Sequence, residues 1–172
     1  EIADINQARG GLGTAGTTTA NLAYAGRAGT NAVVSNELWN GSGWTEVGDL
    51  NTARITFAFW GTSTSSIAGG GYNPGSPNVQ GTELWNGSAW TESGDLNVAR
   101  QTVGGTAANN TSALACGGDA PGQSPSYVAD TEEFTGAGAD VGAWGSGGNL
   151  NTARSHMGAT GTQTATINFG GN

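Results

Sequence analysis

Short stretches of alternating apolar and polar residues recur along the chain, each bounded by glycine, asparagine or proline. SNELW (35–39) and TELWN (82–86) alternate with a period of two, as half-buried strands do. No stretch of helical length has apolar residues at a 3.6-residue period. The runs GTTTANLAYAG, TSALACGG and TATINFGG predict further strands, which end where the backbone requires glycine. The pattern therefore predicts an all-β chain with four short strands in roughly 46 residues, a size typical of repeat architectures.

The pattern is repeated almost verbatim. Residues 37–54 match residues 83–100 at 15 of 18 positions. A motif [D/N]-[L/I]-N-x-A-R occurs four times and ends at arginines 45, 46 and 54 residues apart, namely Arg9, Arg54, Arg100 and Arg154. A small-residue pair follows each motif: Ala25-Gly26, Gly70-Gly71, Gly117-Gly118 and Gly170-Gly171. We expect one domain over residues 1–172, with the tail of a unit at 1–9, units at 10–54, 55–100 and 101–154, and the start of another at 155–172.

The aromatic segments of these units predict hairpins. Asn40-Gly41 and Asn86-Gly87 would supply the positive-φ residues of a tight turn, and GWTEV or AWTES the returning strand. In the third unit the segment reads EEFTG and about five extra residues precede Trp144, which we expect to lie in the hairpin loop. Because Asn-Gly-Ser is also a glycosylation sequon, modification is an alternative to turn chemistry.

Composition narrows the expected partners. The chain has 13 acidic residues against five basic ones, all arginine, and a net charge of −8. Without a basic cluster we expect no nucleic-acid binding, and without a long apolar run no membrane insertion. Six Trp, four Phe and three Tyr, many at repeated positions, argue against a disordered chain.

The order of a Gly-Gly pair, an aromatic residue, a tryptophan and an arginine resembles the kelch repeat of β-propellers. The wording T-E-x-W-N-G-x-x-W-T-x-x-x-x-L-N-x-A-R is similar to kelch-like repeats in structural and tail proteins of bacteriophages, particularly marine ones. The resemblance covers nearly the whole chain and implies about three and a half four-stranded blades. Because closed propellers typically have about 4 to 8 blades, the ring could be completed by residues outside this sequence or by another chain, or the strands could stack in an open array; we expect a part of a larger closed propeller.

Two sets of repeated residues have alternative interpretations. The motif arginines could surround a channel and bind anions there. Alternatively, each arginine could link one unit to the next through hydrogen bonds to carbonyls or to a carboxylate such as Glu46 or Glu92. Their recurrence in every unit favours the structural role. The repeated tryptophans could stack on sugars or pack in the core, and thin glycine-rich sheets favour packing. Trp60 has no counterpart, so contact and core roles both stay open. The predicted structural positions are Trp39, Trp44, Arg54, Trp85, Trp90, Arg100, Trp144 and Arg154.

The chain contains few residues of the types that act in catalysis. His156 is the only histidine and Cys116 the only cysteine, so we predict no enzyme, no catalytic residue, no cofactor and no metal site. The copper chemistry of some kelch propellers needs two histidines. A calcium site made of loop oxygens stays open as an alternative, although no loop has the D-x-D-x-D-G pattern.

The stretches that differ between units are the candidate binding loops. Residues 70–82 and 118–131 hold all four prolines and follow a Gly-Gly pair. Variation on a repeated scaffold is typical of binding surfaces. By resemblance to kelch propellers these loops would lie together on one face. The predicted ligand-binding residues are Tyr72, Asn73, Asp119, Gln123 and Tyr127.

The resemblance implies a non-enzymatic virion protein, a propeller module in a phage tail, fibre or capsid appendage. Its expected partners are other virion proteins or further copies of itself, and host-surface glycan is the expected ligand. The alternative is a secreted or cell-surface bacterial propeller for adhesion or carbohydrate binding.

Overall fold

The computed structural model describes residues 3–55, 57–75, 79–136 and 142–172, and the regular structure in these ranges is entirely β. The predicted all-β class is confirmed. In chain order the strands are β1 (Gly13–Gly16), β2 (Asn21–Tyr24), β3 (Arg27–Ala28), β4 (Asn31–Ala32), β5 (Asn36–Trp39), β6 (Trp44–Val47), β7 (Ala58–Thr62), β8 (Ser65–Gly69), β9 (Thr82–Trp85), β10 (Trp90–Ser93), β11 (Gly104–Asn109), β12 (Ser112–Cys116), β13 (Thr131–Thr135), β14 (Ala143–Ser146), β15 (Met157–Thr162) and β16 (Ala165–Gly170).

The strands form antiparallel sheets in which sequence neighbours pair. The first sheet has the order β1-β2-β5-β6, the second β7-β8-β9-β10 and the third β11-β12-β13-β14. Strands β15 and β16 form a two-stranded terminal hairpin, and β3 with β4 forms a small hairpin between β2 and β5. Each of the three full units therefore contains one four-stranded sheet, and the first unit adds the small β3–β4 hairpin to the four strands that the pattern predicted.

The aromatic hairpins keep one register in all three sheets. The cross-strand partners are Trp39 with Trp44, Trp85 with Trp90, and Phe134 with Trp144. The residues inserted in the third unit fall largely on 137–141, which lie outside the described residues. Since Trp144 pairs with Phe134 as Trp90 pairs with Trp85, the strand after the insertion keeps its position.

The turn chemistry differs from the prediction at Asn40 and Asn86. The loops NGSG and NGSA have four residues between paired tryptophans, and in the first only Gly41 has a positive φ, at 95°. Asn40 acts through its side chain instead: its Oδ1 accepts hydrogen bonds from the Ser42 amide, the Ser42 hydroxyl and the Gly43 amide. The expectation of a positive φ was thus right for Gly41 and Gly87 and wrong for the two asparagines, because an Asx turn supplies the backbone's partners without a left-handed asparagine.

The first strands of successive sheets lie side by side. Strand β7 contacts both β1 and β11, and β11 in turn contacts β15. Glycine permits this approach: a Cβ built on Gly105 of β11 would lie 2.5 Å from Cζ2 of Trp60 on β7. Trp60, whose role the sequence left open, is partly buried and packs against the core between the second and third sheets.

The core consists of two apolar clusters, each between consecutive sheets. The first brings Leu22 and Tyr24 of the first sheet onto Trp85 and Trp90 of the second. The second brings Ile67 of the second sheet onto Phe134 and Trp144 of the third, together with Leu96. The first and second sheets therefore each bury the second strand against the aromatic pair of the sheet that follows.

Candidate functional site

The motif arginines lie at the junctions between sheets. Arg54 follows the first sheet in the chain, yet its guanidinium lies against the second sheet, with Nη2 2.7 Å from Oε1 of Glu83 on β9. Its Nη1 donates to the carbonyls of Gly70 and Gly81. Both side chains are 1% exposed. A planar guanidinium with fixed donors suits such a site, because it bonds two carbonyls and a carboxylate at once.

The backbone of the motif supplies the remaining donors to the same carboxylate. The amides of Asn51 and Thr52 donate to Oε2 and Oε1 of Glu83, at 2.7 and 3.1 Å. We call the arginine, the amide of the motif asparagine and the glutamate that both bind a junction site. Its glutamate is buried but hydrogen-bonded at both oxygens, which is what a buried charge requires.

The junction site occurs three times in the described residues. Arg9 pairs with Glu37 at 3.1 Å, and Arg100 pairs with Glu132. The amides of Asn6 and Asn97 donate to these two carboxylates, as that of Asn51 does to Glu83. Burial lowers the pKa of the Arg9, Arg54 and Arg100 guanidinium groups, and the paired glutamates oppose that shift.

The carboxylate partners differ from those named in the sequence analysis. Glu46 and Glu92 were the examples given, but the arginines bind Glu37 and Glu83, which lie directly across the hairpin from them. Glu83 is on the third strand, two residues beyond the Gly81 carbonyl that the same arginine binds. Glu92 is on the outermost strand and exposed to water.

Arg54 and Arg100 also join the two sheets that flank them. The Arg54 carbonyl accepts the amide of Gly26 in the first unit, while its guanidinium donates to Gly70 in the second. Arg100 repeats the arrangement, with the Gly71 amide on its carbonyl and the Gly117 carbonyl at its Nη1. The pair Gly70-Gly71 is therefore bound by an arginine on each side.

The fourth arginine has a different environment. Arg154 is half-buried, and its Nη1 donates to the Gly170 carbonyl at 3.2 Å. Within the described ranges, the ion pairs are those of Arg9, Arg54 and Arg100, so no carboxylate there pairs with Arg154. A pocket of about 160 Å³ lies beside it, lined by Leu150, Asn151, Thr152, Arg154 and Asn168.

The repeated tryptophans occupy two kinds of environment. Trp85, Trp90 and Trp144 are buried between sheets, with exposures of 0, 6 and 7%. They cannot receive a ligand without the sheets separating. Trp39 is also 7% exposed and donates its indole N–H to the Thr18 carbonyl, whereas Trp44, which pairs with it across the first sheet, is only partly buried.

Trp39 and Trp44 line an open pocket of about 600 Å³. Their rings lie 5.4 Å apart at 46°, and the rest of the lining is small and hydroxylated: Thr14, Gly16, Thr17, Thr18 and Asn21. Flat aromatic faces beside hydroxyl and amide groups are suited to the apolar face and edge of a sugar ring. The sequence analysis grouped all the tryptophans together, and their position in the first sheet is what separates these two.

The first candidate loop begins with Tyr72 and Asn73. Tyr72 is partly buried and exchanges backbone hydrogen bonds with Ile55. The Asn73 amide donates to the Ala53 carbonyl, and its Oδ1 accepts the Gly75 amide. Both polar ends of Asn73 therefore stabilise the loop. Residues 76–78 of this loop lie outside the described residues.

The second candidate loop brings Asp119 and Tyr127 together through a β-bridge. Asp119 also exchanges backbone bonds with Gln101, whose side-chain amide lies 3.3 Å from Asp119 Oδ2. Tyr127 is 37% exposed. Gln123 is exposed at the tip, and its backbone amide donates to the Ala120 carbonyl. Of the five predicted residues, Gln123 and Tyr127 offer the most accessible side chains.

Other chemistry is sparse in the part of the chain that the structure describes. No three of its His, Cys, Asp and Glu side chains converge in a way that could hold a metal ion. His156 is exposed and shares a hydrogen bond with the Ser155 hydroxyl. Cys116 is buried against Asn168 of the terminal hairpin, and burial raises the pKa of its thiol. No helix in these ranges is long and apolar enough to cross a membrane.

No protein-family model matches the chain, and no curated protein matches it either.

The sequence analysis missed one further set of polar contacts between sheets. Asn110, at the tip of the β11–β12 hairpin, donates to the Trp85 carbonyl and bonds Ser65 in the second sheet. Gln163, at the tip of the terminal hairpin, repeats this with the Phe134 carbonyl and Ser112. The two hairpin tips differ in sequence. Only the shared ability of the Asn and Gln side chains to donate and accept hydrogen bonds could have shown that Asn110 and Gln163 are equivalent.

Proposed function

We propose that the chain is a run of kelch-like β-propeller blades, about three and a half in number. Three features support this. The first strands β1, β7, β11 and β15 follow one another side by side, as the innermost strands of blades do around an axis. Each sheet packs face to face on the next one. The junction sites tie every sheet to the segment that leads into it.

On this fold we propose a non-enzymatic structural and binding module of a bacteriophage virion, in a tail, fibre or capsid appendage. The observation that carries this proposal is the use of the repeated charged residues. Arg54, Arg100 and their glutamates are almost completely buried and serve the joints between sheets. What varies between units lies in the exposed loops, which is where a repeated scaffold binds its partners.

The proposed ligand is a host-surface glycan. Two surfaces are suited to it: the loop that presents Gln123 and Tyr127, and the open pocket with Trp39 and Trp44. Neither surface has a cluster of basic groups, which favours a neutral or weakly charged saccharide over a polyanion.

The test is binding of the purified chain to a glycan array and to whole host bacteria. We expect Tyr127→Ala to reduce binding at least tenfold if the loop is the site, and Trp44→Ala to do so if the pocket is. Ile167→Ala, at an exposed apolar residue on the terminal hairpin, is the matched control. Unchanged binding in both test variants would remove the two site assignments, and absence of any glycan binding would leave a purely structural module.

The alternative function is a secreted or cell-surface bacterial propeller for adhesion or carbohydrate binding. The pocket beside Trp39 and Trp44 favours it, because sugar stacking requires no virus. An antibody against the chain separates the two: it would label purified phage particles under the first proposal and the bacterial envelope under the second.

A further inference from the structure

The candidate loops of the second and third units have a counterpart in the first unit that the sequence analysis did not name. Each of the three loops begins after a small-residue pair and ends at a valine whose amide donates to the carbonyl of the second residue of that pair: Val33 to Gly26, Val79 to Gly71 and Val128 to Gly118. The loops therefore span 27–32, 72–78 and 119–127, of which 76–78 lie outside the described residues. The first is the shortest and consists of the hairpin of β3 and β4.

The first residue of each loop has an equivalent backbone position and a different side chain. Arg27, Tyr72 and Asp119 each form a β-bridge with the residue that follows a motif arginine, at Gly10, Ile55 and Gln101. A guanidinium, a phenol and a carboxylate are therefore presented from matching points of three units. Side chains that change on a repeated backbone are the ones that determine what a surface binds.

The first loop borders a pocket of about 520 Å³ that lies between the first and second units. Its lining consists of Gly10, Gly11, Arg27, Gly29 and Ile55. Both walls belong to full units, because Gly10 begins the first and Ile55 the second. A Cβ built on any of the three glycines would meet no atom within 4 Å, so these residues leave the space open. Ile55, which is 7% exposed, supplies the apolar part of the wall.

The pocket contains hydrogen-bond donors that the protein itself does not use. Arg27 is the one arginine outside the repeated motif, and it is exposed. In the part of the chain that the structure describes, its guanidinium has neither a carboxylate partner nor a hydrogen bond. The backbone amides of Gly11 and Gly29 also have no hydrogen-bond partner there. One cation and two free amides at one pocket are suited to an anionic oxygen group.

We propose that this pocket, which we call the Arg27 pocket, binds the carboxylate of a sugar acid, such as a uronic acid or sialic acid unit of a glycan. The Arg27 guanidinium donates charge-assisted hydrogen bonds to the carboxylate, and the amides of Gly11 and Gly29 donate to the carboxylate or to ring hydroxyls. The C–H face of the sugar ring packs on Ile55. The inference rests on the proposed glycan binding and names the class of sugar that this pocket selects.

Charge and lining decide between this ligand and others. The pocket has one unpaired arginine in a chain of net charge −8, so a sulfated or phosphorylated polymer would meet more repulsion than attraction, whereas a single carboxylate needs one cation. A peptide carboxylate would require a pocket for the neighbouring side chain, but apart from Ile55 and Arg27 the wall is glycine backbone. A ring with one apolar face and several hydroxyl groups matches such a wall.

The experiment is an NMR titration of the whole isotope-labelled chain with methyl glucuronide and with methyl glucoside, the matched sugar without the charge. We expect the glucuronide to shift the amide signals of Gly10, Gly11 and Gly29 and the side-chain signal of Arg27. It should bind at least tenfold more tightly than the glucoside. Added salt should weaken binding of the glucuronide alone, because ions screen an exposed charge pair. A methyl sialoside titrated in parallel shows which of the two sugar acids is preferred.

Two variants of the chain test the two parts of the site. Arg27→Gln removes the charge and should weaken glucuronide binding at least tenfold while leaving glucoside binding unchanged. Gly10→Leu keeps the charge and fills the pocket, and the φ of Gly10 is not in the left-handed region, so the backbone accepts a side chain there. This variant should weaken binding of both sugars. Arg154→Gln is the matched control, since it removes the same charge from the terminal hairpin, and it should bind like the parent chain.

Unchanged signals from the third sheet show that each variant is folded. Equal affinity for the glucuronide and the glucoside, no effect of Arg27→Gln, or binding of a dipeptide carboxylate as tight as that of the glucuronide would each overturn the inference. A chain that binds neutral glycans on the array but fails these tests refutes the inference alone, whereas a chain that binds no glycan refutes the proposed glycan function as well.

Discussion

The second sheet and the terminal hairpin start from the same sequence pattern and have very different environments. Both follow a motif that ends in Leu-Asn-x-Ala-Arg and both contain isoleucine on their second strand. Arg54 and Ile67 are 1 and 0% exposed, whereas Ile167 is 68% exposed and Arg154 is half-buried. The difference comes from what lies on either side of each sheet.

This comparison shows where the stability of the chain resides. A buried arginine, a buried glutamate and a covered apolar face occur together only where a third strand and a following sheet are present. Repeat proteins have stabilities that are approximately sums over units and nearest-neighbour interfaces. The interfaces of the second sheet should therefore contribute most, and equivalent substitutions in the terminal hairpin should measure the unit without its neighbour.

The largest expected difference is at the arginines. Arg54→Gln should destabilise the chain by about 3–5 kcal/mol, since it leaves the Glu83 carboxylate buried without its cation. Arg154→Gln should cost less than about 0.5 kcal/mol, because an exposed or half-buried arginine without a carboxylate contributes little. Urea denaturation followed by tryptophan fluorescence gives both values. Equal effects at the two positions would show that junction sites do not determine the stability.

The isoleucines give a smaller difference that involves no charge. Ile67→Ala should cost about 2–5 kcal/mol through lost burial and the cavity it leaves between the second and third sheets. Ile167→Ala should change the free energy of unfolding by no more than about 0.5 kcal/mol. Thermal unfolding of the two variants beside the parent chain measures this. A large loss at Ile167 would mean that this face is covered in solution, for example by self-association, and a dilution series would detect that.

Glycine-to-alanine substitutions should give the smallest difference in stability, because the cost of placing alanine in a left-handed backbone conformation is common to both sites. Gly70 and Gly170 have positive φ angles of 65° and 72°. Alanine at Gly170 meets open space and should cost about 1 kcal/mol for the left-handed backbone. Alanine at Gly70 places its Cβ 2.5 Å from the Arg100 carbonyl and should cost roughly 2–4 kcal/mol. Denaturation midpoints of the two variants measure the difference, and equal midpoints would mean that the junction relaxes around the added methyl group.

The repeat predicted much of the fold because it aligned residues with one environment. The strands at 36–39 and 82–85, the small-residue pairs and the cross-strand tryptophans all follow from alternation and turn chemistry. The Glu83 position is a glutamate in all three full units, whereas the Glu92 position is Ser146 in the third, and this difference could have identified Glu83 as the partner. In the structure the Gly81 carbonyl, two residues before Glu83, also binds the arginine on the third strand.

The candidate binding site was less predictable. The sequence favoured Tyr72 and Asn73 on grounds of variation, yet Asn73 uses both ends of its side-chain amide in hydrogen bonds to the backbone of Ala53 and Gly75. The pocket beside Trp39 and Trp44 depends on whether another sheet packs against these tryptophans, and the local sequence around them does not determine this. Trp60 was undecided for the same reason, because Gly105 in the following unit provides its space.

The double role of the motif arginine has a consequence for how such a chain can change in evolution. The Arg54 carbonyl binds Gly26 in its own unit, and its guanidinium binds Gly70 in the next unit. Every unit thus supplies an arginine to the unit that follows it, and a small-residue pair and a glutamate to the arginine of the unit before it. All units supply the same groups. A duplication or deletion of one whole unit in the gene leaves each new pair of neighbours with complementary halves, so the number of units can change in a single genetic step without any compensating substitution.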